Sequence, residues 1–251
     1  MSILVLGGTL DARQITETLI KKGKTCIYSV KGLVRIPNLP CQVIEGGFEV
    51  RGGLEHYSRI AAVTCIVDAT HPFATKMSQK ALKVANIIGI PYIRFNRDAW
   101  DAEAADQWTH FSNINALLSA LTSFKRVFLS LGQPDANVKA YVERHLEQRF
   151  LLRTAVKPDW QWPDNVTWIK AIGPFHLEDE VHLLQQNRID LMVSKNSGGN
   201  ATYAKLVAAR SMQIKVFMLD RPTEDKRLYH FNTQSACVEA CLSLLPSSDT
   251  N

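Results

Sequence analysis

The chain has 251 residues, of which 46% are hydrophobic and 21% charged, and its formal net charge at neutral pH is +5. This composition excludes an intrinsically disordered protein, and no uninterrupted apolar run reaches the roughly 18–20 residues that a membrane-spanning helix needs. The basic residues are scattered and form no stripe with interleaved aromatic residues, so the charge favours an anionic small molecule over nucleic acid as the partner.

In the first hundred residues, short apolar runs alternate with segments of helical periodicity. The apolar runs predict strands over residues 3–6, 26–30, 42–44, 65–67 and 92–95. The periodic segments predict helices over residues 11–22, 54–61 and 74–88. An acidic, alanine-rich stretch, residues 98–106, has little strand character and is predicted to be a linker.

The same alternation resumes after this stretch. Strands are predicted over residues 127–130, 150–153, 167–169, 190–193 and 215–218, and helices over residues 137–146, 177–186, 202–210 and 235–244. Continuously apolar strands separated by helices are typical of parallel sheets that are covered on both faces. We therefore predict an α/β fold of two Rossmann-like domains, residues 1–100 and 101–251, with helices flanking the sheets and a cofactor in the cleft between the domains.

The first predicted strand ends in a glycine-rich turn, at the sheet edge where ligands of open parallel sheets bind. Gly7 and Gly8 allow close approach of a pyrophosphate, and Thr9 can bond a phosphate oxygen or cap the next helix. Arg13 follows one turn later and can reach a phosphate or a carboxylate. A tight structural turn is the alternative interpretation.

The second strand ends at Ser29-Val30-Lys31, where NAD-specific proteins usually place an acidic residue for the ribose. A serine and a lysine tolerate a 2′-phosphate instead, which favours NADPH over NADH. An ordinary loop lysine would explain the same residues.

The densest polar cluster, Asp68-Ala69-Thr70-His71-Pro72-Phe73, follows the fourth predicted strand. Pro72 suits the first turn of a helix, which Thr70 or His71 can cap. Histidine side chains titrate near neutral pH, so His71 can bind an anion or move a proton. A purely structural histidine is the alternative.

A second glycine-rich turn, residues 194–200, lies between a strand and a helix. Ser194, Lys195 and Ser197 offer donors for a phosphate or carboxylate, and Gly198 permits close approach. This pattern predicts an anion site in the second domain, facing the first. The alternative is a helix-entry loop with a solvated lysine.

The cysteine pattern bears on the compartment. Five cysteines with no Cys-x-x-Cys pair predict neither a disulfide framework nor a zinc ribbon. The N-terminus has no basic segment followed by a long apolar core, so no secretory signal is predicted. These features favour the cytoplasm. The histidines lack metal-ligand spacing, so no metal is predicted, and a monomer is the default expectation for two such domains.

Five motifs occur in order along the chain: Gly7-Gly8-Thr9-x-Asp11-Ala12-Arg13, Asp68-Ala69-Thr70-His71-Pro72-Phe73-Ala74, Gly173-Pro174-Phe175, Ser194-Lys195-x-Ser197-Gly198 and Arg221-Pro222. This series resembles the precorrin-6A reductase family of cobalamin biosynthesis. The resemblance covers about residues 3 to 222, and the block that begins at Asp68 is its most specific part.

The resemblance implies NADPH-dependent reduction of a carbon–carbon double bond in precorrin-6A, or in its cobalt complex, to give the corresponding precorrin-6B. The substrate would be a polycarboxylate tetrapyrrole, held by Arg51, Arg94 and Arg97. Asp68 and His71 would be catalytic and would lie near the nicotinamide. The implied cofactor-binding residues are Gly7, Gly8, Thr9, Asp11, Arg13, Ser29, Thr70, Ser194, Lys195, Ser197 and Gly198.

Two other hypotheses stay open at this point. The chain could be a non-catalytic NADPH-binding regulator, which would bind the cofactor without consuming it. It could also be a two-domain transferase that holds a sugar nucleotide. The nucleotide that raises the melting temperature would discriminate among them.

Overall fold

A computed structural model describes residues 1–31, 36–223 and 229–244 of the chain. The chain divides into two compact units. The first unit comprises Met1–Asp98 and the described residues from Pro222 onward, and the second comprises Ala99–Arg221. The predicted boundary between residues 100 and 101 is therefore two residues from the point where the chain passes from the first unit to the second, between Asp98 and Ala99. The prediction that residues 101–251 all belong to the second domain is corrected, because the described residues from Pro222 onward belong to the first unit.

The first unit contains six strands and four α-helices among its described residues. The strands are β1 Ser2–Leu6, β2 Cys26–Val30, β3 Gln42–Glu45, β4 Val63–Asp68, β5 Tyr92–Phe95 and, near the C-terminus, β12 Tyr229–Phe231. The helices are α1 Leu10–Lys21, α2 Gly53–Ile60, α3 Thr75–Ile88 and α8 Gln234–Leu244. A single 3₁₀ turn, Glu49–Arg51, precedes α2.

The first sheet is parallel throughout, in the order β12-β5-β4-β1-β2-β3. This is the strand order of the Rossmann fold, with β12 in the outermost position beyond β5. Helix α8 follows β12 and buries Cys237, Val238 and Cys241 against Ile15 and Leu19 of α1. The C-terminal segment thus completes both the sheet and the core of this unit.

The second unit contains six further strands and four α-helices. The strands are β6 Trp108–Phe111, β7 Arg126–Ser130, β8 Arg149–Thr154, β9 Val166–Lys170, β10 Leu191–Lys195 and β11 Lys215–Leu219. The helices are α4 Ile114–Ser119, α5 Ala136–Arg144, α6 Leu177–Gln186 and α7 Ala204–Ser211, with 3₁₀ turns at Ala120–Ser123 and Asn200–Thr202.

The second sheet is also parallel, in the order β6-β11-β10-β7-β8-β9. Its central strands are continuously buried, as the apolar runs predict. The order is again that of the Rossmann fold, but the outermost position is taken by β6, which precedes the other strands in the sequence. The predicted α/β class with two parallel, helix-flanked sheets is confirmed.

Strands β6 and β12 and helix α4 were not predicted. Both strands lie at a sheet edge, contain only four and three residues, and are partly exposed, so they lack a long apolar run. The predicted linker 98–106 also packs onto the second unit, where Trp100 is buried and Arg210 pairs with Glu103 and Asp106. Among the described helices, none combines the length and apolarity required to cross a membrane.

Candidate ligand sites of the two units

In the first unit, the loops after β1 and β4 meet at the carboxyl edge of the sheet. These two strands are neighbours, and the chain leaves them toward opposite sides of the sheet, which makes this edge a topological switch point. The Thr9 hydroxyl donates to the carbonyl of Ala69 at 2.9 Å, and the Ala69 N–H donates to the Leu6 carbonyl at 3.0 Å. The predicted glycine-rich turn and the predicted Asp68 cluster are therefore adjacent.

Tyr28 on β2 determines the shape of the glycine-rich turn. Its hydroxyl accepts a hydrogen bond from the Gly8 N–H at 2.9 Å, and a Cβ on Gly7 would lie 2.1 Å from the tyrosine ring. Gly8 has a φ of +106°, a conformation that side chains rarely adopt. Burial raises the pKa of Tyr28, so the phenol stays protonated. Sequence reasoning missed Tyr28, because nothing in a strand pattern shows which side chain faces a neighbouring turn.

Replacing Gly7 by alanine should therefore lower the free energy of unfolding by about 1–3 kcal/mol, because the added methyl group overlaps the Tyr28 ring. Urea denaturation would measure this. The matched control is Gly47→Ala, where the nearest atom is 3.6 Å away and the cost should stay within about 0.5 kcal/mol. A second replacement, Tyr28→Leu, should restore part of the loss in Gly7→Ala. Equal costs at Gly7 and Gly47 would contradict the role of the tyrosine.

The Thr9 and Asp11 side chains bond to the protein rather than point to open space. Thr9 is the N-cap of α1, where its hydroxyl accepts from the Ala12 N–H at 3.0 Å as well as donating to Ala69. Asp11 accepts from Arg97 at 2.5 Å and from Gln234 at 2.9 Å. These contacts hold α1, the segment after β5 and α8 together, and the ligand roles of Thr9, Asp11 and Arg97 stay predictions.

Arg13, in contrast, is half-buried and lies near enough to the Tyr28 hydroxyl to favour the ionised form of the phenol. It is the cation of the glycine-rich turn. Ser29 lies at the end of β2 with 7% exposure, and its carbonyl accepts from the Gly7 N–H at 2.8 Å. Arg51 lies on the 3₁₀ turn that follows β3, where it donates to the Gly47 carbonyl at 3.3 Å.

Asp68 and Arg94 form a buried ion pair beneath the second loop. Asp68 is 0% and Arg94 1% exposed, and their side chains are 3.1 Å apart. Asp68 also accepts from the Tyr92 hydroxyl at 2.7 Å and from the Thr70 hydroxyl at 2.6 Å. Arg94 further donates to the carbonyls of Asp68 and Thr70, both at 3.2 Å.

The two buried charges fix the loop that carries Thr70 and His71. The roles of Arg94 toward a substrate carboxylate and of Asp68 in the chemistry stay predictions. The Tyr92 phenol adds to the network, and its pKa is raised by burial and by the neighbouring Asp68 carboxylate.

His71 is half-buried on this loop, with a defined orientation. Its Nδ1 accepts a hydrogen bond from the Phe73 N–H at 3.2 Å, so the neutral ring carries its proton on Nε2. A ring held in this way can donate a hydrogen bond from Nε2–H to a bound molecule. That His71 takes part in the chemistry stays a prediction.

In the second unit, the corresponding switch point lies between β7 and β10. The Ser194 and Ser197 hydroxyls both donate to the Lys195 carbonyl, at 3.2 and 3.3 Å, and Gly198 has a φ of +66°. The serine hydroxyls thus shape the turn rather than extend from it. Burial lowers the pKa of Lys195, and Asp135 opposes that shift.

Asn196 holds this turn in place, and sequence reasoning did not single it out. Its side chain accepts from the Trp100 N–H at 2.8 Å and donates to the Trp100 carbonyl at 3.0 Å. Its own carbonyl accepts from Arg221 at 2.8 Å. Gly173, from another predicted motif, lies against the same region, since a Cβ there would be 3.0 Å from the Ala201 carbonyl.

Three comparisons with known proteins bear on function. A family model described as precorrin-6x reductase CbiJ/CobK matches residues 2–242. The precorrin-6A reductase of Rhodobacter capsulatus is 35% identical over 230 residues, which cover 90% of each chain. The cobalt-precorrin-6A reductase of Priestia megaterium is 28% identical, over 88% of this chain and 90% of that protein. A solved structure of CobK precorrin-6A reductase is 33% identical and superimposes with a TM-score of 0.85, covering 97% of this chain and 96% of the other.

Proposed function

The chain belongs to the precorrin-6x reductase family, and from this premise we propose that it reduces a carbon–carbon double bond of precorrin-6A with NADPH, giving precorrin-6B. The observation that carries the proposal is the extent of the match. Residues 2–242 include both sheets and both switch-point turns, so the likeness is not confined to a common nucleotide-binding half.

The glycine-rich turn of the first unit fits a nicotinamide dinucleotide. Gly8 is exposed, and a Cβ added there would meet no atom within 4 Å, so the space outside the turn is open. The twelve-residue helix α1 starts at this turn, and its N-terminus attracts a phosphate. Arg13 would pair with that phosphate, and Ser29 and Lys31 would lie toward the ribose. When bound, NADPH supplies the hydride, while the protein provides orientation and electrostatics.

The predicted 2′-phosphate contact depends partly on residues beyond Lys31. Residues 32–35, which include Gly32, lie outside the described residues. The proposal of NADPH over NADH therefore rests on the absence of an acidic residue at the end of β2, residues Cys26–Val30.

Arg13→Ala should raise the dissociation constant for NADPH about tenfold, because one charge-assisted contact to a phosphate is lost. Fluorescence titration with NADPH would measure this. Arg59→Ala is the matched control, since Arg59 is exposed and pairs only with Glu55 on its own helix in the described structure. Unchanged affinity in Arg13→Ala would place the phosphates elsewhere.

We propose the metal-free macrocycle as substrate. The precorrin-6A reductase of Rhodobacter capsulatus is 35% identical to the chain, whereas the cobalt-precorrin-6A reductase of Priestia megaterium is 28% identical. The turn around Lys195, Ser197 and Gly198 is proposed to hold an anionic group of the cofactor or of the macrocycle, with the ammonium and the backbone as donors.

The direct test is loss of NADPH absorbance when purified protein meets precorrin-6A, with the cobalt complex in a parallel reaction. Oxidation with the metal-free substrate is the expected result. Oxidation only with the cobalt complex would reverse the substrate assignment. Tight NADPH binding without oxidation in either reaction would favour the regulator hypothesis instead.

A further inference from the structure

Lys205 is a buried lysine of the second unit. It lies in the first turn of α7 with 4% exposure. Its ammonium donates to the hydroxyl of Ser130, the last residue of β7, at 3.2 Å. The side chain therefore ends at the carboxyl edge of the second sheet, at the switch point where ligands of such sheets bind.

The charges around Lys205 do not balance. Arg153 of β8 and Glu180 of α6 are both buried and pair with each other through both carboxylate oxygens. Rings of Phe128 and Phe175 lie 4.8 and 4.0 Å from the guanidinium of Arg153, which encloses that pair further. The Glu180 carboxylate, which acts on Lys205, is thus already engaged by Arg153.

Across residues 1–31, 36–223 and 229–244, no ion pair includes Lys205. The Trp100 ring lies 5.6 Å from its Nζ, and the cations Arg153 and Lys195 act on it electrostatically. Asp135, at the N-terminus of α5, acts on Lys195. Lys205 is therefore a buried cation site that lacks its counter-charge.

A buried ammonium without a carboxylate is costly, and the group responds by losing its proton. Burial, together with Arg153 and Lys195, lowers the pKa of Lys205 to about 7, and Glu180 only partly opposes this. An anion arriving at the sheet edge would supply the missing charge and favour the protonated form. The same anion would also be attracted by Lys195.

We propose that Lys205 takes up one proton from solvent when a carboxylate or phosphate of a ligand binds at the carboxyl ends of β7 and β10 beside Lys195. The step converts the Lys205 amine to an ammonium and breaks no covalent bond. This inference rests on the proposed function, since the two molecules of that reaction, NADPH and precorrin-6A, are both polyanions.

Calorimetric titration in two buffers of different ionisation enthalpy counts the protons taken up per bound ligand. NADP⁺ and precorrin-6A would be titrated separately into the wild-type protein and into Lys205→Met, whose thermal unfolding checks the fold. At about pH 8, wild-type uptake should approach one proton, and at about pH 6 it should fall below about 0.1, because the free lysine is then already protonated. Lys205→Met should bind without this uptake.

The two titrations distinguish the source of the anion. Uptake with NADP⁺ indicates a phosphate, and uptake with precorrin-6A indicates a carboxylate. The inference is overturned if both ligands bind the wild-type protein without uptake, or if Lys205→Met retains the uptake. The wild-type comparison between the two pH values requires no variant. Failure of both ligands to bind would instead overturn the proposed function, and this inference with it.

Discussion

Asp68→Asn is expected to destabilise the protein by about 3–5 kcal/mol, because it leaves the Arg94 guanidinium buried without its counter-charge. The two side chains are 0% and 1% exposed, so water cannot replace the lost carboxylate. The variant also weakens the acceptor for the hydroxyls of Thr70 and Tyr92. Urea denaturation, followed by circular dichroism, gives the change in the free energy of unfolding.

Two further variants separate charge from hydrogen bonding. Tyr92→Phe removes one hydroxyl donor to Asp68 and should cost about 1 kcal/mol. The double variant Asp68→Asn, Arg94→Gln removes both charges and should be more stable than Asp68→Asn alone. An Asp68→Asn variant within about 0.5 kcal/mol of the wild type would show that the pair does not hold this loop.

The buried pair positions the neighbouring loop at the edge of the first sheet. The side chain of Arg94 on β5 donates to the carbonyls of Asp68 and Thr70, so it holds the loop after β4 in a fixed position relative to β5. The second unit has a comparable pair, Arg153 with Glu180, joining β8 to α6. In both units a salt bridge fixes an element beside the switch point, although the pairs occupy different strands.

The central strands could be predicted because burial on both faces leaves a continuous apolar run, as in β4 and β10. The positions of the edge strands β12 and β6 could not be predicted. Tyr229–Phe231 and Trp108–Phe111 carry too few apolar residues to be recognised, and only the pairing with β5 and β11 shows where they belong. The division into residues 1–100 and 101–251 failed for that reason.

The sequence predicted two turns as ligand-binding turns, because a turn that follows a buried parallel strand lies at the sheet edge in any such fold. It did not resolve which polar side chains in those turns face outward. Asp11 and Arg97 satisfy each other, and so do Asp68 and Arg94. The paired residues are 26 or 86 positions apart in the chain, so the pairing leaves no local signal in the sequence. An arginine or aspartate that contacts a ligand also looks the same in the sequence as one that forms an internal salt bridge.

His71 is the residue for which orientation and chemistry still agree, and its replacement should have the largest effect on turnover. We expect His71→Asn to lower kcat about 100-fold, since loss of one positioned hydrogen-bond donor at the reacting centre typically costs that much. The affinity for NADPH should be unchanged, because the ring is not proposed to hold the cofactor. Stopped-flow measurement of NADPH oxidation with precorrin-6A, together with fluorescence titration of the cofactor, would test both expectations.

Asparagine is chosen because it removes the Nε2–H donor of His71 and keeps an acceptor for the Phe73 N–H. Its side-chain oxygen can accept the Phe73 N–H in place of Nδ1, so the loop keeps its hydrogen bond while the Nε2 proton is lost. His56→Asn, on the exposed side of α2, is the control and should retain wild-type kcat. If His71→Asn also turned over at the wild-type rate while His71→Ala did not, the ring would only shape the loop.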